Sequence, residues 1–290
     1  MFTAFLDSSQ SDAAARAAQH IVDALIEERT LKLSRSPLWP LFRPLAYQIL
    51  HYRAARAMAD RITPMGAQAA FDHISALLSL DVRVSGLEHL PRDGAFLIAP
   101  NHPTGIADGI AMFDALKARR ADMMFFANRD ALRVNPRFAD MIIPVEWRAG
   151  EKSRAKSRDT LVAMNRAFEA GKAIVLFPAG RIAYWSDAGL TERPWQHTIV
   201  GLARRYGVPI VPVAIRARNS GMFYFFGDRA PEFRDMTVFH ELLNKKKAPF
   251  DIAFSRPLSP DELPHDPAEA AASLQDFVTT RLIDQPSAEY

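Results

Sequence analysis

The chain contains no cysteine. It therefore has no disulfide, no thiolate nucleophile and no cysteine-ligated metal, which fits a reducing cytoplasm and leaves any covalent chemistry to other side chains. It lacks an apolar run of the roughly 18 residues that a spanning helix needs, so any membrane contact is expected at the surface. A strong charge of either sign is missing too: Lys plus Arg number 36 against 33 Asp plus Glu, a net +3. Nucleic-acid binders concentrate positive charge far more strongly, so nucleic acid is not an expected partner. A mild excess suits anionic headgroups or phosphate-bearing substrates. The opening "MFTAFLDSSQSDAAARAAQ" has no basic stretch followed by a sustained apolar one, and no secretory signal is expected. Internal repeats and low-complexity tracts are absent from the sequence.

What is present is ample apolar material, 49% of 290 residues, for a sizeable core. Asp12 to Arg29 reads as a helix with Ala14, Ala18, Ile21 and Leu25 on one stripe. A break is expected at "SRSPLWPLFRP", with helical spacing resuming beyond Pro44 in "LAYQILHYRAARAMADRI". Strands are then expected at "DVRVSG", "AFLIAP", "MMFFA", "IIPV", "AIVLF", "VPIVPVAI" and "FDIAFS". Helical segments intervene, among them Lys152 to Ala170, stopped by Gly171, and a stretch from about Pro194 to Gly207; a last helix runs from Pro267 to Ile283. The alternation predicts an α/β fold, a mixed, partly parallel sheet flanked by helices, with an N-terminal helical segment. The boundary falls near Thr63 to Gly66, giving a helical, membrane-surface segment over 1–65 and an α/β domain over 66–290. Pro209 and Pro212 predict that "VPIVPVAI" is an edge or irregular strand, and the run Lys245 to Lys247 reads as a solvated turn.

Open α/β sheets place ligands beyond the carboxyl ends of their strands, which singles out three loops. The loop after "AFLIAP" is "NHPTGIADG", offering His102 and Asp108; the loop after "IIPV" offers Arg148 and Lys152; the loop after "AIVLF" offers Gly180 and Arg181. Imidazole can take a proton from an attacking hydroxyl and return it to a leaving group, and a neighbouring carboxylate would fix its tautomer. Guanidinium groups can hold a phosphate by bidentate hydrogen bonds. Trp39, Phe42 and Tyr47 lie among Arg35, Arg43 and Arg53, a mixture typical of helices lying on a membrane. The aromatic "GMFYFFGD" suits either the core or a lipid-facing surface, and His197 and His240 read as structural.

Four segments together resemble the glycerolipid acyltransferases of the lysophosphatidic acid acyltransferase superfamily, over about Val82 to Pro257. "VSGLEHLPRDGAFLIAPNHPTGIADG" is similar to that family's first block, "IIPVEWR" to its second, "FPAGR" to its third and "VPIVPVAI" to its fourth. The resemblance implies His102 as general base with Asp108 as its orienting partner, and Arg148 as a holder of the acceptor's polar head. Substrate contacts would come from Asn101, Thr104 and Gly105 in the first block, and from Lys152, Pro178, Gly180 and Arg181 in the later ones. It implies an O-acyltransferase without cofactor or metal, peripheral on the inner face of the cell membrane. Its donor would be acyl-CoA or acyl carrier protein, and its acceptor the hydroxyl of a lysolipid, either 1-acylglycerol-3-phosphate or a lyso-aminolipid. Backbone N–H groups of the loop would stabilise the oxyanion.

Two departures stand out. The usual pattern places four residues between histidine and aspartate, whereas Pro103 to Ala107 make five here, a form that resembles a bacterial branch related to ornithine-lipid O-acyltransferases. Ala179 stands where the third block usually has glutamate, and no threonine separates Gly180 from Arg181. The acceptor's head is therefore left open. A thioester hydrolase and a lipid-binding protein without catalysis remain as alternatives.

Overall fold

A computed structural model describes residues 19–146, 148–227 and 229–290. The start of the expected helix, from Asp12 with Ala14 and Ala18 of its stripe, lies outside the described residues; its remainder is helix α1, Ile21–Arg29. A short turn, α2 (Leu31–Ser34), leads to α3 (Trp39–Ile49) and α4 (Tyr52–Ile62). The expected break is thus present over Arg35 to Leu38, which form turns, while from Trp39 onward the stretch is helix. Pro40 sits in the first turn of α3, where its missing N–H is an orphan in any case. Pro44 lies inside α3 on its exposed side, so the carbonyl it leaves unbonded faces water. What does interrupt the helical run is His51, in the left-handed region at φ 56° between α3 and α4. After α5 (Ala67–Leu78) the α/β rhythm begins.

The main sheet has seven strands in the order β1-β9-β8-β2-β5-β3-β4. They are β1 (Asp81–Ser85), β2 (Phe96–Pro100), β3 (Met123–Asn128), β4 (Ile142–Val145), β5 (Ala173–Val175), β8 (Ile210–Arg216) and β9 (Pro249–Phe254). Every pairing is parallel except β8 with β9. Central β2 is buried along its whole length, which is why it reads as an unbroken apolar run. Its alternate residues feed two cores. Phe96 and Ile98 pack with Phe71 of α5 and Phe113 of α6 (Ile106–Leu116), while Leu97 and Ala99 face Phe168 of α8 (Arg154–Glu169) and Ile199 of α9 (Thr198–Tyr206). Leu274 of α13 (Pro267–Asp276) completes the second layer. Between β3 and β4 lies a short α7 (Asp130–Val134).

β8 is interior rather than an edge, and the reason is register. The carbonyl of Pro212 accepts from Ser255 N–H at 3.0 Å, so the absent proline donor points to the same side, where the β9 ladder has already ended at the Val213–Phe254 pair. Helix α9 starts at Thr198, later than the pattern suggests, and ends at Gly207 with φ 61°. A hairpin of β6 (Tyr184–Ser186) and β7 (Gly189–Thr191) stands apart from the sheet, and short helices α10 (Gly221–Phe226), α11 (Pro231–Met236) and α12 (Val238–Leu243) follow β8. Lys245, at the start of the run read as solvated, is buried with its Nζ 2.8 Å from Glu241 Oε2 of α12. Val22, Ile26, Trp39, Leu50, Ala55 and Ala59 gather with Met236 of α11 into a third cluster, while Met58 and Ile62 join the core under the sheet. Among the described residues no helix is long and apolar enough to cross a membrane.

Candidate active site

β2 delivers its last residues to the carboxyl edge of the sheet. There Asn101 locks the strand end to β8: its Nδ2 donates to the Ile215 carbonyl at 2.9 Å and its Oδ1 accepts the Ile215 N–H at 2.6 Å. Asn101 is buried and its amide is occupied by β8, so it shapes the loop instead of touching substrate as expected. The chain then turns sharply at Gly105, whose φ of +94° and whose closeness to Ile182 leave no room for a side chain. That turn launches α6 with Asp108 in its first turn, where the helix dipole favours negative charge.

The five-residue spacer does bring the carboxylate back. His102 Nδ1 lies 2.9 Å from Asp108 Oδ2, off the line of a straight hydrogen bond. Asp108 is fully buried. Its Oδ2 accepts the N–H groups of Thr104 at 2.8 Å and Gly105 at 2.9 Å, and its Oδ1 accepts the Thr104 hydroxyl. Thr104 is accordingly a buried support for Asp108 and does not face substrate. With these two N–H groups engaged by Asp108, neither is left for an oxyanion. The Phe177 ring packs on the imidazole with centroids 4.2 Å apart.

His102 opens onto a cavity of about 2120 Å³. Its buried part is lined by Met58, Ile62, Phe71, Phe125, Phe138 and Leu242. Its exposed rim carries Lys152, Arg181, Arg218 and Arg229 beside Trp185 and Phe225. Pockets for small molecules usually enclose about 300–1,000 Å³, so this one has room for a long chain together with a polar head. Gly105, Lys152, Gly180 and Arg181 thus share the cavity wall with His102, as the loops suggest. Pro178 is buried instead, its carbonyl accepting from Gln196 N–H at 2.9 Å.

Arg148 is engaged elsewhere. Its Nη1 lies 2.6 Å from Glu28, its Nη2 2.7 Å from Asp130 and its Nε 3.3 Å from Glu146. The guanidinium that was expected to hold a headgroup ties the end of β4 to α1 and α7. Its partner Glu28 has its carboxyl held down to about 2, first by Arg133 and then by Arg148.

Two site residues lie outside every matched block. Glu192, just after β7, accepts the His102 main-chain N–H on Oε1 and the Trp195 indole N–H at 2.6 Å on Oε2. Burial pushes its carboxyl up. No local sequence signal marks this residue, because its partner is contributed by a loop far upstream. Tyr224 of α10 accepts the Asn219 N–H at 2.9 Å and touches Trp185, with ring centroids 5.5 Å apart. In the "GMFYFF" helix Phe223 is buried while Phe225 is 71% exposed, so that segment serves both core and surface.

The sheet with its loop of histidine and aspartate has relatives. Residues 81–216 match the family model described as Acyltransferase. A lyso-glycine lipid O-acyltransferase of Bacteroides thetaiotaomicron is 22% identical over 187 residues, 62% of this chain and 67% of that protein. One of Phocaeicola vulgatus is 29% identical over 148 residues, 51% of each chain, so the match spans only about half of that relative. A solved structure, the 1-acyl-sn-glycerophosphate (LPA) acyltransferase PlsC of Thermotoga maritima, covers 91% of this chain and 99% of its own, at 17% identity and a TM-score of 0.48. The matched region holds the loop, the sheet's central strands and part of the cavity wall, and its match is to acyltransferases. Over this region the chain is similar to the glycerolipid acyltransferase superfamily.

Proposed function

We propose that the protein moves a fatty acyl group from an acyl thioester, acyl-CoA or acyl carrier protein, to the hydroxyl of a lysolipid with an anionic head. The observation that carries this reading is the His102–Asp108 pair at the wall of a long apolar cavity with a cationic rim. Asp108 sits against Nδ1, so Nε2 on the far side of the ring takes the proton of the acceptor hydroxyl. The oxygen attacks the thioester carbonyl, the tetrahedral intermediate collapses, and the imidazolium returns its proton to the departing thiolate. The products are an ester and a free thiol. The acyl chain occupies the apolar depth, and Lys152, Arg181 and Arg218 face the acceptor's anionic head at the rim. The relatives' names favour an amino-acid lipid, whose head is a carboxylate, over a phosphate-bearing one.

The protein would work as a peripheral enzyme on the inner face of the cell membrane. Exposed Leu41, Phe42, Leu45 and Ile49 on α3, with Arg43 among them and Arg35 in the turn before it, form the apolar and basic surface that would lie on the bilayer. Trp39 and Tyr47, first candidates for that role, turn inward: Trp39 is buried and Tyr47 hydrogen-bonds Asp23. The reading is tested by incubating wild type and His102→Ala with an acyl thioester and a lysolipid, following thiol release and lipid product by mass spectrometry. Wild type is expected to give both and the variant neither. Thiol without acylated lipid would make it a hydrolase; vesicle binding with neither would make it a binding protein.

A further inference from the structure

The third block lacks its usual glutamate, and Ala179 in its place is buried with no polar group to offer. A carboxylate reaches the histidine loop nonetheless, from the far foot of the β6–β7 hairpin. Glu192 follows β7 directly, and its Oε1 accepts the N–H of His102. The near foot acts on the same residue: the N–H of Ala183, just before β6, donates to the His102 carbonyl at 2.9 Å. Both main-chain polar groups of His102 are therefore held by the hairpin, one at each foot. The hairpin in turn lines the cavity through Tyr184, Trp185 and Ser186.

Glu192 is itself anchored from behind. Its Oε2 accepts the indole N–H of buried Trp195 at 2.6 Å. The Trp195 N–H donates to Gln275 Oε1 at 3.0 Å, and Gln275 Nε2 returns a bond to the Arg193 carbonyl at 3.1 Å, so α13 braces the carboxylate. An acceptor this firmly held fixes the direction in which His102 leaves the strand.

We propose that Glu192 is a positioning residue for His102, coupling the aim of the imidazole to the hairpin that lines the substrate cavity. This rests on the reading of His102 as general base. Glu192 does not touch the imidazole, so its loss should misdirect the base while leaving substrate binding in place.

Glu192→Gln tests this, since an amide keeps one accepting oxygen for two donors and turns its NH₂ toward the other. In the full-length protein kcat is expected to fall on the order of 10- to 100-fold with KM for both substrates nearly unchanged. A fall in melting temperature with kcat per folded molecule unchanged would make Glu192 merely structural and overturn the proposal. His102→Ala runs in parallel: if that variant stays active, the general-base reading fails, whereas an inactive His102→Ala beside a fully active Glu192→Gln defeats this proposal alone. Should the variant not fold, amide exchange in wild type decides. The His102 N–H lies outside every helix and strand, and is expected to exchange slowly because Glu192 holds it; rapid exchange in the folded protein would overturn the assignment.

Discussion

Replacing Asp108 by asparagine separates the two duties of that side chain. As a carboxylate it accepts three protein donors, the N–H groups of Thr104 and Gly105 on Oδ2 and the Thr104 hydroxyl on Oδ1. Asparagine has the same shape. With its oxygen in the Oδ2 position both N–H bonds survive, and the Thr104 hydroxyl rotates to accept from the new NH₂. What disappears is charge assistance, about 1 kcal/mol for each of three bonds, offset by relief from burying a charge, for a net loss of about 1–3 kcal/mol. Alanine instead leaves two buried N–H groups without acceptors, at about 1–3 kcal/mol each, on top of the lost bonds.

Activity should follow a different order. With its oxygen at the Oδ2 position asparagine can still accept from Nδ1–H, but being neutral it does not stabilise the imidazolium, so Asp108→Asn is expected to lose about 100-fold or more in kcat, close to the loss in Asp108→Ala. Urea unfolding and acyl transfer on the same preparations separate the two scales. A folded Asp108→Asn with kcat within tenfold of wild type would refute the dyad. Equal destabilisation by asparagine and alanine would refute the hydrogen-bond argument.

Gly105→Ala should cost about 1–3 kcal/mol, because φ +94° with ψ −124° is nearly closed to a side chain. Its Cβ would lie 2.6 Å from Ile182 Cδ1, so adding Ile182→Ala returns only the steric share, read from urea midpoints in a double-mutant cycle. Glu28, with its carboxyl held down to about 2, contributes stability that is full above the ordinary value of 4.5 and lost as pH falls from there toward about 2. Glu28→Gln should flatten that acid limb of the stability profile, and an unchanged limb would remove the pairing with Arg133 and Arg148 as its source. Leu41→Asp with Phe42→Asp should weaken binding to anionic vesicles by roughly tenfold or more, since each large apolar side chain contributes about 1.5–3 kcal/mol when fully buried. Activity on a detergent-dispersed acceptor should persist.

The sheet was legible because its central strands are buried on both faces and bounded by turns. β2, β3 and β4 are short apolar runs that no amphipathic helix would produce. The hairpin was not, since its two three-residue strands, "YWS" and "GLT", carry no period. It is held by particular contacts, the Ser186 and Thr191 hydroxyls 2.6 Å apart and the Arg193 guanidinium 4.4 Å above the Tyr184 ring. Prolines misled twice for one reason: each rule concerns a missing N–H, and its effect depends on where that N–H would have pointed. In α3 it would have met a carbonyl now exposed to water, and in β8 a ladder that had already ended.

The site divides by sequence distance. His102, Thr104, Gly105 and Asp108 form one loop and one helix turn, so their spacing already carried their geometry. Arg148 looked like a free cation because the carboxylates that occupy it include Glu28, from a helix at the other end of the chain. Glu192 is the converse case. A buried N–H in a loop must find an acceptor, so the requirement at His102 could be stated from the sequence alone. Its supplier could not, because Ala179 vacates the expected position and the replacement arrives on a hairpin that has no sequence signature. The chemistry of the loop constrains what is needed there, and only the fold decides which residue provides it.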